Sequence, residues 1–155
     1  LEPPDLNGST VPQVPRVVLA GDGYPSPEAF ATDASELRLS RTELLTAAEI
    51  EDTLLEQLET FGLVRPRQGS APYDGDALVI AKTCGELAAF GLEPRHLRAF
   101  RTAADREVGL VEQVVSTMRR GRDASAAARA EEAISQLAAL SVRLHATLVK
   151  AGLRT

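Results

Sequence analysis

The chain has 155 residues, of which 44% are hydrophobic and 25% are charged, a composition typical of one soluble globular domain. Its net charge of -5 argues against a surface that holds a nucleic-acid backbone throughout, because such binding depends on Lys and Arg neutralising phosphates. No apolar run approaches the roughly 20 residues that span a bilayer, and no signal peptide is recognisable. We therefore expect a cytoplasmic protein without a membrane partner.

Residues that carry chemistry are few. The single cysteine, Cys84, falls within a helical pattern without a Cys or His at ligand spacing, which predicts a buried side chain and neither a disulfide nor a zinc site. The two histidines, His96 and His145, lack the companions of a metal site. No nucleophile motif or phosphate-binding glycine loop is present. We expect no metal, no cofactor and no enzymatic activity.

Residues 1–38 contain most of the nine prolines, together with several glycines. Prolines at this density remove backbone donors and fix φ, so this stretch is predicted to be a linker or an extended arm. Its apolar run at residues 17–20 would form one strand or pack as part of that arm. Because the chain opens without Met on linker-like sequence, we expect it to be a segment of a longer protein.

Two capping motifs mark the beginning of regular structure. Ser40 with Glu43, and Thr46 with Glu49, each match the Ser/Thr-x-x-Glu capping box, in which two side chains satisfy free N–H groups at a helix start. Two helix starts this close predict a very short helix, a turn and a second helix over residues 46–61.

The following stretch completes a recognisable order of elements. Residues 63–72 predict a short strand and a loop or wing, and a further helix follows Tyr73 and ends before Gly91. Helix, turn, helix, wing and helix is the order of a winged helix-turn-helix, in which the helix at residues 46–61 would read DNA. Residues 39–93 are therefore predicted to form a winged-helix-like unit with a minimal β wing.

The charge of the helix at residues 46–61 argues against DNA reading. It has no Lys or Arg, and its acidic residues are Glu49, Glu51, Asp52, Glu56 and Glu59. Such a helix is repelled by phosphates, and Gln57 is its single side chain suited to reading base edges. Arg65 and Arg67 in the wing are too few to reverse this. The unit is thus predicted to be a degenerate winged helix.

Two long helices are predicted beyond Gly91, over residues 94–120 and from about Asp123 to residue 151, the second capped by Asp123 or Ser125. The second carries a heptad seam, whose candidate dimer residues are Ile134, Leu137, Ser141, Leu144 and Leu148. This seam serves either an antiparallel hairpin within one chain or a homodimer. The predicted fold is all-α, with a helical regulatory domain at residues 39–155 that ends in this hairpin at 94–151.

Arginines are concentrated at the start of the first long helix, where Arg95, Arg98 and Arg101 are three residues apart and share one side. His96 lies among them. One interpretation is that these arginines pair with acids such as Glu93 and Asp105. The other is an anion or effector site, because a helix start also offers free N–H groups to a negative ligand.

Several runs of the sequence resemble a known family. Residues 58–67 (Leu-Glu-Thr-Phe-Gly-Leu-Val-Arg-Pro-Arg), 73–78 (Tyr-Asp-Gly-Asp-Ala-Leu) and 87–94 (Leu-Ala-Ala-Phe-Gly-Leu-Glu-Pro) resemble the DNA-binding layout of MerR-type transcriptional regulators. Residues 39–45 (Leu-Ser-Arg-Thr-Glu-Leu-Leu) and 91–106 are more similar to the C-terminal half of actinobacterial regulators of the FtsR type. The similarity extends over most of residues 39–150.

This resemblance implies the effector-binding or dimerisation half of a transcription factor. The implied partners are a second copy of the chain, promoter DNA bound through a winged helix upstream, and a small-molecule effector or RNA polymerase. Two alternatives remain: direct nucleic-acid binding through Arg65, Arg67 and the basic side at residues 95–106, and a protein–protein adaptor without a small-molecule ligand.

Overall fold

The computed structural model describes residues 23–30, 37–121 and 124–154, and its regular structure in these ranges is helical. A 3-10 helix at Pro27–Phe30 precedes five α-helices: α1 (Arg41–Ala48), α2 (Asp52–Thr60), α3 (Gly75–Ala89), α4 (Pro94–Arg119) and α5 (Ala124–Gly152). The predicted all-α class is confirmed. The chain divides into two compact units, which within the described residues are 37–98 (the first unit) and 23–30, 99–121 and 124–154 (the second unit).

Helix α1 begins where the first capping box predicts. The Glu43 N–H donates to Ser40 Oγ at 3.2 Å, and the Ser40 N–H donates to Glu43 Oε1 at 3.0 Å. The bond from the Ser40 backbone is also the main reason why the pKa of Glu43 lies below its usual value. Both side chains therefore satisfy N–H groups that the helix itself leaves free.

The second predicted capping box, Thr46 with Glu49, is wrong. Thr46 lies inside α1 and its hydroxyl donates to the Thr42 carbonyl at 3.0 Å, whereas Glu49 ends the helix in the left-handed conformation with φ of 57°. Helix α2 begins at Asp52, after Glu51. The motif failed because Ala47 and Ala48 are buried, and burying them carries the first helix past Thr46.

The strand predicted after α2 is also wrong. Leu63 and Val64 are buried, but both N–H groups donate to the Leu58 carbonyl, at 2.9 and 3.2 Å, and so close the end of α2. Gly62 makes this turn possible with φ of 74°. An isolated antiparallel bridge joins Leu39 and Tyr73.

The core of the first unit lies between α3 and the pair α1 and α2. Helix α3 begins at its N-cap Asp74, which accepts the Ala77 N–H at 2.9 Å, and ends before Gly91 as predicted. The buried cluster consists of Leu39, Leu44, Ala47, Ala48, Leu55, Leu58, Leu63, Val64, Tyr73, Ala77, Leu78, Ala81, Cys84 and Leu97. The predicted burial of Cys84 is confirmed, and that burial raises the pKa of its thiol.

The second unit contains the 3-10 helix, most of α4 and all of α5. Arg119 of α4 lies 3.4 Å from Glu131 of α5, and Glu107 of α4 lies 3.1 Å from His145 of α5. A late residue of α4 thus pairs with an early residue of α5, and the reverse, so these pairs join the helices in antiparallel order. Because these pairs are largely exposed to solvent, they add little to the free energy of unfolding. Their main effect is to align the two helices along their length.

The ends of the long helices agree with prediction to within about one residue where they are described. Asp123, one predicted cap of α5, lies outside the described residues, while Ser125 lies inside the helix and is not its cap. Most of the predicted linker at residues 1–38, including the run at 17–20, also lies outside the described residues. Its described part contains the 3-10 helix, which packs against α5.

Candidate functional site

The first turn of α4, the predicted anion site, is held by local contacts. Arg95 Nε lies 2.9 Å from a carboxylate oxygen of Glu93, and the Glu93 N–H donates to His96 Nδ1 at 3.0 Å. The Arg98 guanidinium lies over the Phe61 ring, 5.6 Å from its centroid, a cation–π contact with the end of α2. Arg95 and His96 thus pair with the residue before α4, and Arg98 joins α4 to the end of α2.

Arg101, the fourth member, belongs to the second unit. Its Nε atom lies 3.2 Å from the Asp105 carboxylate one turn later, an ion pair without hydrogen-bond alignment. The pairing interpretation therefore holds for Arg95 with Glu93 and for Arg101 with Asp105. A ligand anion at either arginine would compete with a neighbouring carboxylate, and anion binding there stays a prediction.

An ion and hydrogen-bond network around Arg41 crosses the first unit. Arg41 Nε donates to Asp52 at 2.6 Å, and its Nη1 donates to Glu59 and to the Tyr73 hydroxyl, each at 3.0 Å. The Tyr73 hydroxyl in turn donates to Glu59. The bond to Asp52 is the main reason why the pKa of Arg41 is raised above its usual value, so this guanidinium stays charged.

Several of the acidic residues at 46–61 are paired with cations from other helices. Of the carboxylates counted against DNA reading, Asp52 and Glu59 are paired with Arg41, and Glu49 lies 3.5 Å from Lys82. Glu51 and Glu56 remain exposed. Burial, and then the neighbouring Glu59, raise the pKa of Tyr73. Arg41 thus fixes α2 against α1 and against the segment that precedes α3.

The candidate seam residues of α5 are not buried alike. Ile134, Leu137 and Ser141 are half-buried, and the Ser141 hydroxyl donates to the Leu137 carbonyl at 2.7 Å. Leu144 and Leu148 are each 62% exposed. The seam therefore begins against its own unit and continues onto open surface.

The apolar stripe of α4 shows the same division. Leu97 and Val115 of this stripe are buried, whereas Phe100, Val108 and Met118 are exposed. In the second unit, the buried apolar residues of the described ranges are Val115, Ala126, Ala130 and Ala139. Small side chains predominate among them, so little of the apolar surface of the two long helices is covered.

Neither a metal centre nor a membrane span is found in the part of the chain that the structure describes. It contains no cluster of three or more His, Cys, Asp or Glu side chains that could hold an ion. It also contains no helix that is both long enough and apolar enough to cross a bilayer.

Comparison with known proteins now adds to this geometry. Residues 37–155 match the family described as Rv1828-like, C-terminal domain. The chain belongs to this family. It is 38% identical over 144 residues to the HTH-type transcriptional regulators Rv1828 of Mycobacterium tuberculosis and Mb1859 of Mycobacterium bovis. The matched region is 91% of this chain and 58% of each relative, so the chain spans less than two thirds of their length.

Both relatives of this Rv1828-like domain are named as transcriptional regulators and neither as an enzyme. These names are consistent with the expectation of a regulator domain. The names state helix-turn-helix type for the relatives and do not assign a ligand, an oligomeric state or a MerR type.

Two groups of residues in the Rv1828-like domain were missed from the sequence. The Arg41 network had a signal, because Asp52 and Glu59 are seven residues apart on one side of α2, where one cation can pair with both. Tyr73 gave no signal, because its hydrogen bonds with Arg41 and Glu59 depend on the chain folding back beside Leu39. Tyr24 and Arg143, which line a cleft in the second unit, also gave none because they are distant in sequence.

Proposed function

We propose that this Rv1828-like domain is the effector-binding and dimerisation half of a MerR-type regulator of the FtsR kind. In this proposal a winged helix upstream, in another part of the longer protein, binds promoter DNA, and this domain joins two subunits. The names of the relatives support a regulator, and the share of each relative that lies beyond the match leaves room for a separate DNA-reading domain.

The exposed apolar surface of the second unit carries the proposal. Its large exposed hydrophobic residues are Phe100, Val108, Leu110, Val114, Met118, Leu140, Leu144, Leu148, Val149 and Leu153. Soluble monomers rarely leave so many large apolar side chains in water, and contiguous apolar patches usually mark an interaction site. Two long antiparallel helices with such a surface form a dimer by packing it against a second copy.

The first unit supports the same division of labour. Its helices α1 and α2 are joined by a tight turn at Glu49, as in a helix-turn-helix, and α3 packs against both. The helix in the DNA-reading position, α2, nevertheless has no cation, and the nearby Arg41 is occupied by Asp52 and Glu59. We therefore assign DNA reading to a different domain and treat the first unit as a degenerate winged helix.

The test uses the longer protein in a gel-shift assay with its promoter. Replacing Leu144 and Leu148 by Glu should place charges in the subunit interface and lower the apparent DNA affinity by at least about tenfold, because a dimer binds two half-sites. Phe90→Glu is the matched control, since Phe90 is 88% exposed in the first unit. Equal affinity of both variants for DNA would contradict the proposal.

The proposal also includes the anion site at Arg95, His96, Arg98 and Arg101 as a candidate effector site. Its support is the position of three of these residues at the start of α4, where free N–H groups favour anions. Titration of wild type and Arg98→Ala with phosphate- and carboxylate-bearing metabolites tests it. Equal responses of the two proteins would remove the site.

Direct nucleic-acid binding is the second candidate function. The exposed Arg65 and Arg67 in the segment after α2 favour it, although Arg67 lies 3.4 Å from Asp74. A gel shift of this chain alone at several salt concentrations tests direct nucleic-acid binding, because phosphate contacts weaken steeply as the salt concentration rises. Salt-sensitive binding would favour this candidate, while a pull-down of RNA polymerase without a ligand response would favour an adaptor.

A further inference from the structure

A cleft of about 280 Å³ opens in the second unit between the 3-10 helix and α5. One of its walls is formed by Tyr24, Pro25 and Pro27 around the start of the 3-10 helix, with the buried Ser26 between the prolines. Prolines and an aromatic ring make this wall apolar and restrict its backbone motion. The wall is therefore suited to contact a flat or aliphatic molecule.

The opposite wall is one face of α5. Gln136, Ala139, Leu140 and Arg143 line it, and their spacing of three and four residues places them on the same side of the helix. Ala139 and Leu140 form the middle of the wall, while Gln136 and Arg143 stand at its two ends, roughly 10 Å apart along the axis. The wall is thus apolar in the centre and polar at both ends.

Charge distinguishes the two ends. The Gln136 amide nitrogen donates to the Glu132 carboxylate at 3.4 Å, so an acid lies at that end. At the other end, the Arg143 guanidinium makes no ion pair with any described residue. Glu28, which follows the lining residue Pro27 but does not itself line the cleft, is engaged by its own backbone N–H and by the Ser26 hydroxyl, which together lower its pKa. Among the residues that line the cleft, Arg143 is the charged one.

We propose that this cleft binds a small molecule with an apolar body and one carboxylate group. The body would lie between the prolines and the Ala139–Leu140 centre, and the carboxylate would accept two hydrogen bonds from the Arg143 guanidinium, a geometry that this side chain favours. The volume lies near the lower end of the range for ligand pockets, which selects compact molecules.

The regulatory meaning of this cleft rests on the proposed effector-binding function, whereas the binding itself is argued from the residues that line the cleft. The proposal adds a second candidate effector site, on α5, to the arginines at the start of α4, and it names the ligand chemistry. Because both walls belong to the second unit, a bound molecule would join the 3-10 helix to α5 and raise the melting temperature of the chain by mass action.

The first experiment uses the intact chain with benzoate, phenylacetate, indole-3-acetate and octanoate as probes. Each carboxylate is compared with its neutral amide by isothermal calorimetry and by NMR chemical-shift mapping. We expect at least one carboxylate to bind about tenfold or more tightly than its amide and to shift the signals of Ala139 and Leu140. The proposal fails if no carboxylate exceeds its amide, or if the shifts lie outside the second unit.

Variants then locate the contact. Arg143→Gln should abolish the preference for the carboxylate over its amide. Lys150→Gln removes a charge from α5 outside the cleft and should leave this preference unchanged. Ala139→Leu should fill the centre and weaken carboxylate and amide alike, with circular dichroism showing that the helices persist. Equal effects of Arg143→Gln and Lys150→Gln would mean charge attraction without a site and would overturn the proposal.

These outcomes are independent of the regulatory proposal. A chain that forms dimers but binds no carboxylate would retain the proposed dimerisation role and lose the cleft. A monomeric chain that binds a carboxylate through Arg143 would retain the cleft and lose the dimer.

Discussion

The two units of the chain differ in how they bury apolar side chains. The first unit encloses eight large or medium aliphatic residues in its cluster, among them Leu44, Leu55, Leu58 and Leu78, each fully buried. In the described part of the second unit, Val115 is joined only by three alanines, while ten large apolar residues stay exposed. A helix is stabilised mainly by packing its apolar face. The first unit therefore has a core of its own, whereas the second leaves much of its apolar surface exposed.

The helices of the two units also differ in what determines their length and position. In the first unit short helices are fixed by caps, by Gly62 and Gly91 and by the Arg41 network. In the second unit long helices have apolar spacing that repeats far beyond what their own unit covers. The first arrangement specifies a fold, and the second fits the proposed interface between two subunits.

The largest predicted effect contrasts Leu58 with Leu144. Leu58→Ala should lower the free energy of unfolding by about 2–5 kcal/mol, because it removes a fully buried side chain and leaves a cavity. Leu144→Ala should change the stability of the monomer by less than about 0.5 kcal/mol. Urea denaturation at low protein concentration measures both, and similar losses would contradict the difference between the units.

A second comparison uses glycines. A Cβ atom at Gly85 in α3 would lie 2.7 Å from Cγ2 of Ile50, so Gly85→Ala should destabilise the first unit by about 1–3 kcal/mol through overpacking. Gly109 in α4 has open space around it, so Gly109→Ala should be neutral or should stabilise by up to about 1 kcal/mol. Thermal denaturation of both variants checks the signs, and a stabilising Gly85→Ala would refute the close packing of α3.

A third test concerns the two capping motifs. Ser40→Ala should cost about 1 kcal/mol, because Ser40 caps α1. Thr46→Ala should be neutral or slightly stabilising, since Thr46 lies inside the helix, where Ala is the better helix former. Chemical denaturation compares them, and an equal cost for Thr46→Ala would restore a helix start at that residue.

The smallest effect is a pH dependence at Tyr73. Burial, and then Glu59, raise the pKa of its hydroxyl in the folded chain above the usual value of 10.0. Stability from the neutral hydroxyl is therefore complete below about pH 10 and is lost as the pH rises through the raised pKa. Ultraviolet titration in a Tyr24→Phe background, where Tyr73 is the single tyrosine, follows its ionisation.

Two variants sharpen that titration with opposite signs. Glu59→Gln should lower the pKa of Tyr73, because it removes a negative neighbour, and Arg41→Gln should raise it, because Arg41 favours the ionised hydroxyl. Shifts in the same direction would contradict the observed network.

Local signals predicted the fold where local physics decides it. The capping box at Ser40, the glycine end of α3 and the proline start of α4 are encoded by a few neighbouring residues and were correctly placed. The box at Thr46 and the strand at residues 63–65 failed because tertiary packing of Ala47, Ala48, Leu63 and Val64 overrode the local pattern.

The candidate sites were less predictable for a related reason. The charge pattern identified the arginines at the start of α4, but it did not give the distances to their acidic partners. The heptad spacing identified the seam on α5, but it did not show which of the seam residues are exposed. The Arg41 network and the cleft at Arg143 depend on contacts between residues distant in sequence, which spacing along one helix does not encode.

The most direct test of the central claim is the mass of the chain in solution, measured by light scattering over a dilution series from micromolar concentration. We predict twice the monomer mass of 16.5 kDa for wild type, and the monomer mass for the variant with Leu144→Glu and Leu148→Glu. Wild type at 16.5 kDa throughout the series would contradict the account, because the apolar face of the second unit would then have no second copy to cover it.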